Sequence, residues 1–339
     1  MKLDKEPIHL PLYASPFFEK LMDEESYSEK DKNIVRKYRE DGILVIDEPF
    51  ISEEDIERVK EDTEKLIPNR RTRIQDAWQN SEAIKKLATN KKVLEVLEIL
   101  YGRKPITFQT LNFIYGTQQN IHSDTVHFNS MPNGFMCGVW VALEDVTLEN
   151  GALVYAVGSH KIPEYDYQDF GISETKTSSL YVKDFEKEAL ASYLEYEKKL
   201  DSLIKSLNLP LKKIIVKKGQ AIIWASNIFH GGSKITDLSK TRYSQVTHYF
   251  FENCFYYALR HSNTRFGHYY LREVVDISTG KTIKPNFNGK KLKFIPTKSR
   301  NKFNVCYEED LVDDKLGEQF SNHKNRNFSK LFKIKLIDD

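Results

Sequence analysis

The spacing of apolar positions changes near residue 105, and it divides the chain into a helical approach and a strand-rich body. In the approach, N-I-V-R-K-Y-R-E-D-G (33–42) has the period of a helix that closes on Gly42, and the apolar strand Ile43 to Ile46 follows. Ser52 with Asp55 three residues on resembles a capping box, and Ile56, Val59, Thr63 and Leu66 recur at helical spacing until Pro68. Ser81 to Tyr101 reads as one helix that buries Leu87, Val93, Leu94, Leu97 and Leu100.

From there β-branched and aromatic residues dominate. Ile106 to Tyr115 and the nearly continuous apolar run Phe135 to Leu143 read as strands, the second covered on both faces. Asn150-Gly151 marks a tight turn, and Gly158-Ser159 ends the next strand. Asp184 to Leu207 returns to helical spacing, with Leu190, Tyr193, Leu194, Tyr196, Leu200 and Leu203 on one stripe, so residues 162–212 read as a helical insertion between strands. The sheet resumes with Ile214 to Val216, turns at Lys218-Gly219 and continues through Ala221 to Ala225. In T-R-Y-S-Q-V-T-H-Y-F-F (241–251) strict alternation puts Arg242, Ser244 and Val246 on one face.

These patterns predict one domain, mainly β with flanking helices. It has an irregular lead-in (1–32), helical support (33–104), a strand core (105–255) and a C-terminal extension (256–339) without assignable chemistry. Twenty Phe and 18 Tyr suit a β-rich interior. With 51 basic and 49 acidic residues the net charge is +2, which gives no field to recruit nucleic acid or an acidic membrane. Three widely spaced cysteines, Cys137, Cys254 and Cys306, suggest reduced thiols. No apolar run reaches membrane-span length and the first residues have no secretory core, so a cytoplasmic protein is expected. Arg70, Arg71 and Arg73 form a basic patch, either solvated or able to grip an anionic group.

The candidate chemistry lies in N-I-H-S-D-T-V-H-F-N (120–129). In extended backbone His122 and Asp124 point the same way and Ser123 the other, so an imidazole and a carboxylate can meet one metal ion. A second histidine, best supplied by His230 in F-H-G-G, completes a 2-His-1-carboxylate triad with open positions, as in non-haem iron oxygenases. The competing reading is a hydrogen-bonded His-Asp pair in the core. Gln109, Asn112 and Tyr115 are candidate pocket residues. His127 and His248 are spare histidines suited to core, surface or supporting roles, His160 is expected to be structural, and Trp140 and Trp224 are expected to pack the barrel.

Taken together, several segments resemble the phytanoyl-CoA dioxygenase family. They are R-E-D-G-I-L-V-I-D-E-P-F-I-S-E-E-D-I (39–56), His122-x-Asp124, V-A-L-E-D-V-T-L-E-N-G-A-L-V-Y-A-V-G-S-H-K (141–161), K-K-G-Q-A-I-I-W leading to His230-Gly231, and Arg242 twelve residues on. The resemblance implies a double-stranded β-helix, a cupin-like jelly roll, that binds Fe(II) and uses 2-oxoglutarate and O2 to hydroxylate a small organic molecule, releasing succinate and CO2. It makes His122, Asp124 and His230 the iron ligands and Arg242 the anchor for the distal carboxylate of 2-oxoglutarate, with Ser244 adding a hydroxyl and Gln109 and Asn112 near the cosubstrate. Iron halogenases of this family lack the carboxylate ligand, so Asp124 argues against halogenation. The alternatives are a cupin-like metal enzyme that does not use 2-oxoglutarate, which would not need Arg242, and a non-catalytic binding protein on the same barrel. The lead-in and the 162–212 insertion are the expected lids.

Overall fold

The computed structural model describes residues 9–25, 27–48, 50–67, 72–172, 185–297 and 302–308. Arg70 and Arg71 lie outside the described residues, whereas Arg73 opens the short strand β2 (Arg73–Gln75), after β1 (Ile43–Ile46).

Helices α1 (Phe18–Glu24), α2 (Glu29–Asp41) and α3 (Glu53–Leu66) precede β2. Gly42 ends α2 at a φ of 67°, in the left-handed region that glycine enters without a Cβ penalty. Ser52 caps α3 by accepting the Asp55 amide, and Ile56, Val59 and Thr63 form its buried face. The stretch read as one helix from Ser81 to Tyr101 is two, α4 (Glu82–Ala88) and α5 (Lys91–Tyr101). The break is local chemistry: the Asn90 side chain accepts the amides of Lys92 and Val93 and starts a new helix, a preference that period alone does not reveal.

Strand β3 (Pro105–Phe113) precedes β4 (Asn129–Met131), β5 (Met136–Ala142) and β6 (Leu153–Ala156). After helix α6 (Phe185–Ser206) come β7 (Leu211–Ile214), β8 (Ala221–Ala225), β9 (His230–Gly232) and β10 (Ser244–Phe251). The main antiparallel sheet has the order β1-β8-β5-β10-β3-β2, and a smaller sheet, β7-β6-β9, faces it. The result is the expected jelly roll, mainly β with helices outside.

Both faces of the main sheet are covered, which is why β5, β8 and β10 are fully buried and β5 and β8 are apolar throughout. On one face Val139, Ile223 and Tyr249 pack with helix residues such as Tyr38, Ile56 and Leu97. On the other, Trp140, Ile222, Trp224 and Val246 pack with Leu153 and Tyr155 of the smaller sheet. The strand expected at Ile214 to Val216 is instead β7, because its pairing with β6 runs from Leu211 opposite Ala156 to Ile214 opposite Leu153 and stops there. Val216 lies beyond that pairing, where its carbonyl accepts the Val146 amide.

Helix α6 lays Tyr196, Leu200 and Ile204 against Val126, Ala156 and Phe229 at one end of the barrel. The segment after β10 is rich in strands. Phe255–Tyr257 (β11) pairs with β4, and His268–Tyr270 (β12) is the edge of a four-stranded sheet with Lys302–Tyr307, Lys290–Pro296 and Asn286–Phe287.

Candidate metal centre

The site begins where the motif segment meets the start of β9. His122 and His230 form an isolated antiparallel bridge, with reciprocal amide-to-carbonyl bonds of 2.9 Å each. The two glycines of F-H-G-G permit that approach: a Cβ on Gly231 would lie 2.7 Å from the Gln119 carbonyl oxygen, and one on Gly232 would lie 3.0 Å from the Gln118 nitrogen. The extended backbone expected through the motif is brief. Ser123 is extended, so His122 and Asp124 share a side, but Asp124 opens a 3-10 turn through Val126 in place of a continuing strand.

His122, Asp124 and His230 are all buried and offer ligand atoms that lie within 4.8 Å of one another. Each imidazole is oriented from behind. The His122 Nδ1 donates to the Asn120 carbonyl at 2.9 Å and the His230 Nδ1 to the Ile228 carbonyl at 3.0 Å. Since a carbonyl only accepts, both Nδ1 atoms carry hydrogen and both Nε2 lone pairs face Asp124, at 3.6 and 3.9 Å from its oxygens.

Asp124 is held ionised. Burial alone would raise its pKa, but His230, the close contact with His122, and His248 together bring its carboxyl far below the usual range. Burial pushes His230 down to about 4, against the pull of Asp124. Burial opposes protonation of His122 too, but its contact with Asp124 wins and its pKa rises. A converging carboxylate and two oriented imidazoles form a donor set suited to a divalent first-row metal.

Trp224 completes the support. Its indole N–H donates to Asp124 Oδ2 at 2.8 Å, a role that goes beyond the packing expected of it. The ring reaches there because it lies flat on Gly138, its cross-strand partner: a Cβ on Gly138 would sit 2.2 Å from Trp224 Cζ2. A glycine inside an apolar strand was the available sequence signal for this close approach. His248 is likewise a neighbour of the site, with Nε2 3.9 Å from Asp124 Oδ2 and Nδ1 3.1 Å from Gln109 Oε1.

The three residues open on a cavity of about 490 Å³, within the usual range for small-molecule sites. Arg242 forms part of its wall beside Trp140 and Val246. This guanidinium is 5% exposed and lies 5.2 Å from the Trp140 ring. It donates through Nη1 to the Gly151 carbonyl, leaves Nε without a partner, and makes no ion pair with a carboxylate of the described residues. Burial lowers its pKa to about 10.

The remaining expected residues separate. Gln109 lines the cavity, but Asn112, three positions along the same strand, faces the other side, where its amide donates to Gln245. Ser244 is fully buried and its hydroxyl bonds the Arg242 carbonyl at 3.4 Å; it does not line the cavity. Tyr115 is 41% exposed. His160 bonds the Arg39 carbonyl and does not line the cavity, a structural role as expected. His127 does line the cavity, and so do Tyr193 of α6, Arg260 and Arg272, the last two from a segment to which the sequence assigned no chemistry.

Residues 107–240 match the family model described as phytanoyl-CoA dioxygenase (PhyH). Peroxisomal phytanoyl-CoA dioxygenase of Rattus norvegicus is 21% identical over 277 residues, 71% of this chain and 73% of that protein. Phytanoyl-CoA dioxygenase domain-containing protein 1 of Danio rerio is 33% identical over 81 residues, 22% of this chain and 28% of that protein. Among solved structures, the non-heme alpha ketoglutarate dependent epimerase SnoN from nogalamycin biosynthesis superposes with a TM-score of 0.51 at 16% identity. That match covers 67% of this chain and 85% of SnoN and shows a shared fold.

Proposed function

We propose that the chain, whose residues 107–240 match the phytanoyl-CoA dioxygenase family model, is an Fe(II)- and 2-oxoglutarate-dependent dioxygenase that hydroxylates a small organic molecule, releasing succinate and CO2. The observation that carries this reading is the pairing, in one cavity, of the His122, Asp124 and His230 cluster with Arg242, a buried cation with no ion-paired carboxylate among the described residues. A buried unpaired charge is costly to the fold, and a ligand carboxylate would relieve that cost. A cupin-like enzyme without the cosubstrate gives Arg242 no such task.

In this reading the Nε2 atoms of His122 and His230 and the carboxylate of Asp124 would hold iron, and Arg242 would grip the far carboxylate of 2-oxoglutarate with charge-assisted bonds. When bound, iron and cosubstrate supply the O2-dependent oxidation of a substrate C–H bond. The chain's own residues orient and enclose. The Asn120 and Ile228 carbonyls fix the two imidazoles, Trp224 fixes the carboxylate, Gln109 fixes His248, and Phe113, Trp140 and Val246 make the wall near Arg242 apolar. Retention of Asp124 favours hydroxylation over halide transfer.

We further propose a cytoplasmic location, in keeping with three free cysteines; separately, no helix among the described residues is long and apolar enough to cross a membrane. The test is O2-dependent conversion of 2-oxoglutarate to succinate by the chain supplied with Fe(II), with His230→Ala as control. Succinate formed by the native chain and lost in the variant supports the reading. Iron bound without any conversion, across a panel of small-molecule substrates, refutes it.

A further inference from the structure

The cavity has a second cationic wall for which 2-oxoglutarate does not account. Arg260 lies in the 3-10 turn Leu259–His261, and Arg272 lies two residues beyond β12. Strand β11 brings them there: Tyr257 pairs with Asn129 of β4 on one side and bridges Leu271 on the other, which folds the chain after the barrel back over His127 and Phe128. Arg272 donates to the His127 carbonyl at 3.4 Å, and its guanidinium lies 4.7 Å from the Phe128 ring centre. Both arginines line the cavity, both have a buried Nε without a partner, and neither is ion-paired to a carboxylate of the described residues.

Two cations are therefore held together with no ion-paired carboxylate among the described residues, the opposing charge on Arg272 coming from Asp76 beyond ion-pair distance. Burial and then the neighbouring Arg260 lower the pKa of Arg272, so the fold works against keeping both charged. Arg242 belongs to a different electrostatic group, in which the nearby charge is Glu144. The two groups are also set apart along the barrel. Arg242 precedes β10, while Phe128, over which Arg272 lies, packs 4.9 Å from His248 farther along that strand.

We propose that Arg260 and Arg272 bind an anionic group of the primary substrate, a carboxylate or a phosphate, and so restrict the enzyme to acidic small molecules. The proposal rests on the oxygenase reading for what happens to that substrate, but the anion site is built from this chain alone. Planar guanidinium forks match both oxyanions, and Phe128 and Tyr193 supply apolar surface for the carbon skeleton beside the charged group.

The test is calorimetric titration of the full chain with inorganic phosphate and, separately, with pentanoate. Both the metal-free protein and the anaerobic protein carrying Fe(II) and saturating 2-oxoglutarate are titrated. Arg260→Met and Arg272→Met should each weaken the preferred probe at least about tenfold and leave 2-oxoglutarate affinity within twofold of native. Arg272→Lys, which keeps the charge, should retain part of the binding and shows that the site still folds. The probe bound more tightly identifies the substrate's acidic group. Native protein that binds neither probe, or Met variants that bind both as native does, overturns the proposal. So does a loss of 2-oxoglutarate affinity in either Met variant as large as that of Arg242→Met, which would assign these arginines to the cosubstrate. Failure of the oxygenase reading is seen separately, as no visible absorption band from Fe(II) with 2-oxoglutarate, while anion binding is still read on the metal-free chain.

Discussion

Trp224→Phe tests whether the candidate metal centre is prepared by its surroundings. The substitution removes one N–H that donates to Asp124 Oδ2 at 2.8 Å, in a place where Asp124 is 4% exposed. A hydrogen bond to a charged group is worth about 1.5 to 3 kcal/mol, and the smaller ring adds a packing loss above Gly138. Unfolding of the metal-free variant in urea should therefore show at least that loss. Packing alone could produce the same result, so the deciding assay is Fe(II) affinity by competition with a chelator. Partners that orient metal ligands typically contribute about 10- to 100-fold to affinity, and a weakening of that size is expected. A variant that is destabilised yet binds Fe(II) within twofold of native would show that Trp224 only fills space, and the reasoning would be wrong.

Three further outcomes follow from the same geometry. Gly138→Ala places a methyl group 2.2 Å from Trp224 Cζ2 and should cost about 1 to 3 kcal/mol in denaturant unfolding while weakening Fe(II) binding by displacing the indole; unchanged affinity would dissociate the two residues. Arg242→Ala should raise the 2-oxoglutarate dissociation constant at least about tenfold and leave Fe(II) binding within twofold, as measured by titration under nitrogen; equal losses of both ligands would contradict its separate role. Burial holds His261 neutral with a pKa near 4, so the unfolded chain, at about 6.5, takes up a proton first as pH falls. Stability from this group is full above pH 6.5 and declines toward pH 4, by about 2 kcal/mol at pH 5. His261→Asn should reduce the stability difference between pH 7.5 and pH 5 by that amount, and an unchanged difference would show that His261 is not held neutral.

The elements whose boundaries were legible are those fixed by local chemistry. Gly42, Ser52 and the apolar runs of β5 and β8 each announce themselves within a few residues. Asn90 was equally local, but the helical period on either side of it concealed the break. The triad was legible because His122 and Asp124 lie two apart and His230 carries the Gly-Gly that lets its backbone close on Gln118 and Gln119. What sequence did not reveal was long-range placement. The Trp224 bond to Asp124 depends on a register that sets Trp224 opposite Gly138. The side of β3 on which Asn112 falls depends on which face the small sheet covers. Arg260 and Arg272 reach the cavity only because β11 pairs with β4, a contact between segments more than a hundred residues apart that no local pattern encodes.

The most direct measurement is an anaerobic titration of 2-oxoglutarate into the Fe(II)-loaded chain, followed by visible absorption, with His230→Ala and Arg242→Ala alongside. The account predicts a weak metal-to-ligand charge-transfer band in the native chain that is lost without His230 and needs at least about tenfold more cosubstrate without Arg242. Iron bound stoichiometrically with no band at any 2-oxoglutarate concentration would contradict it.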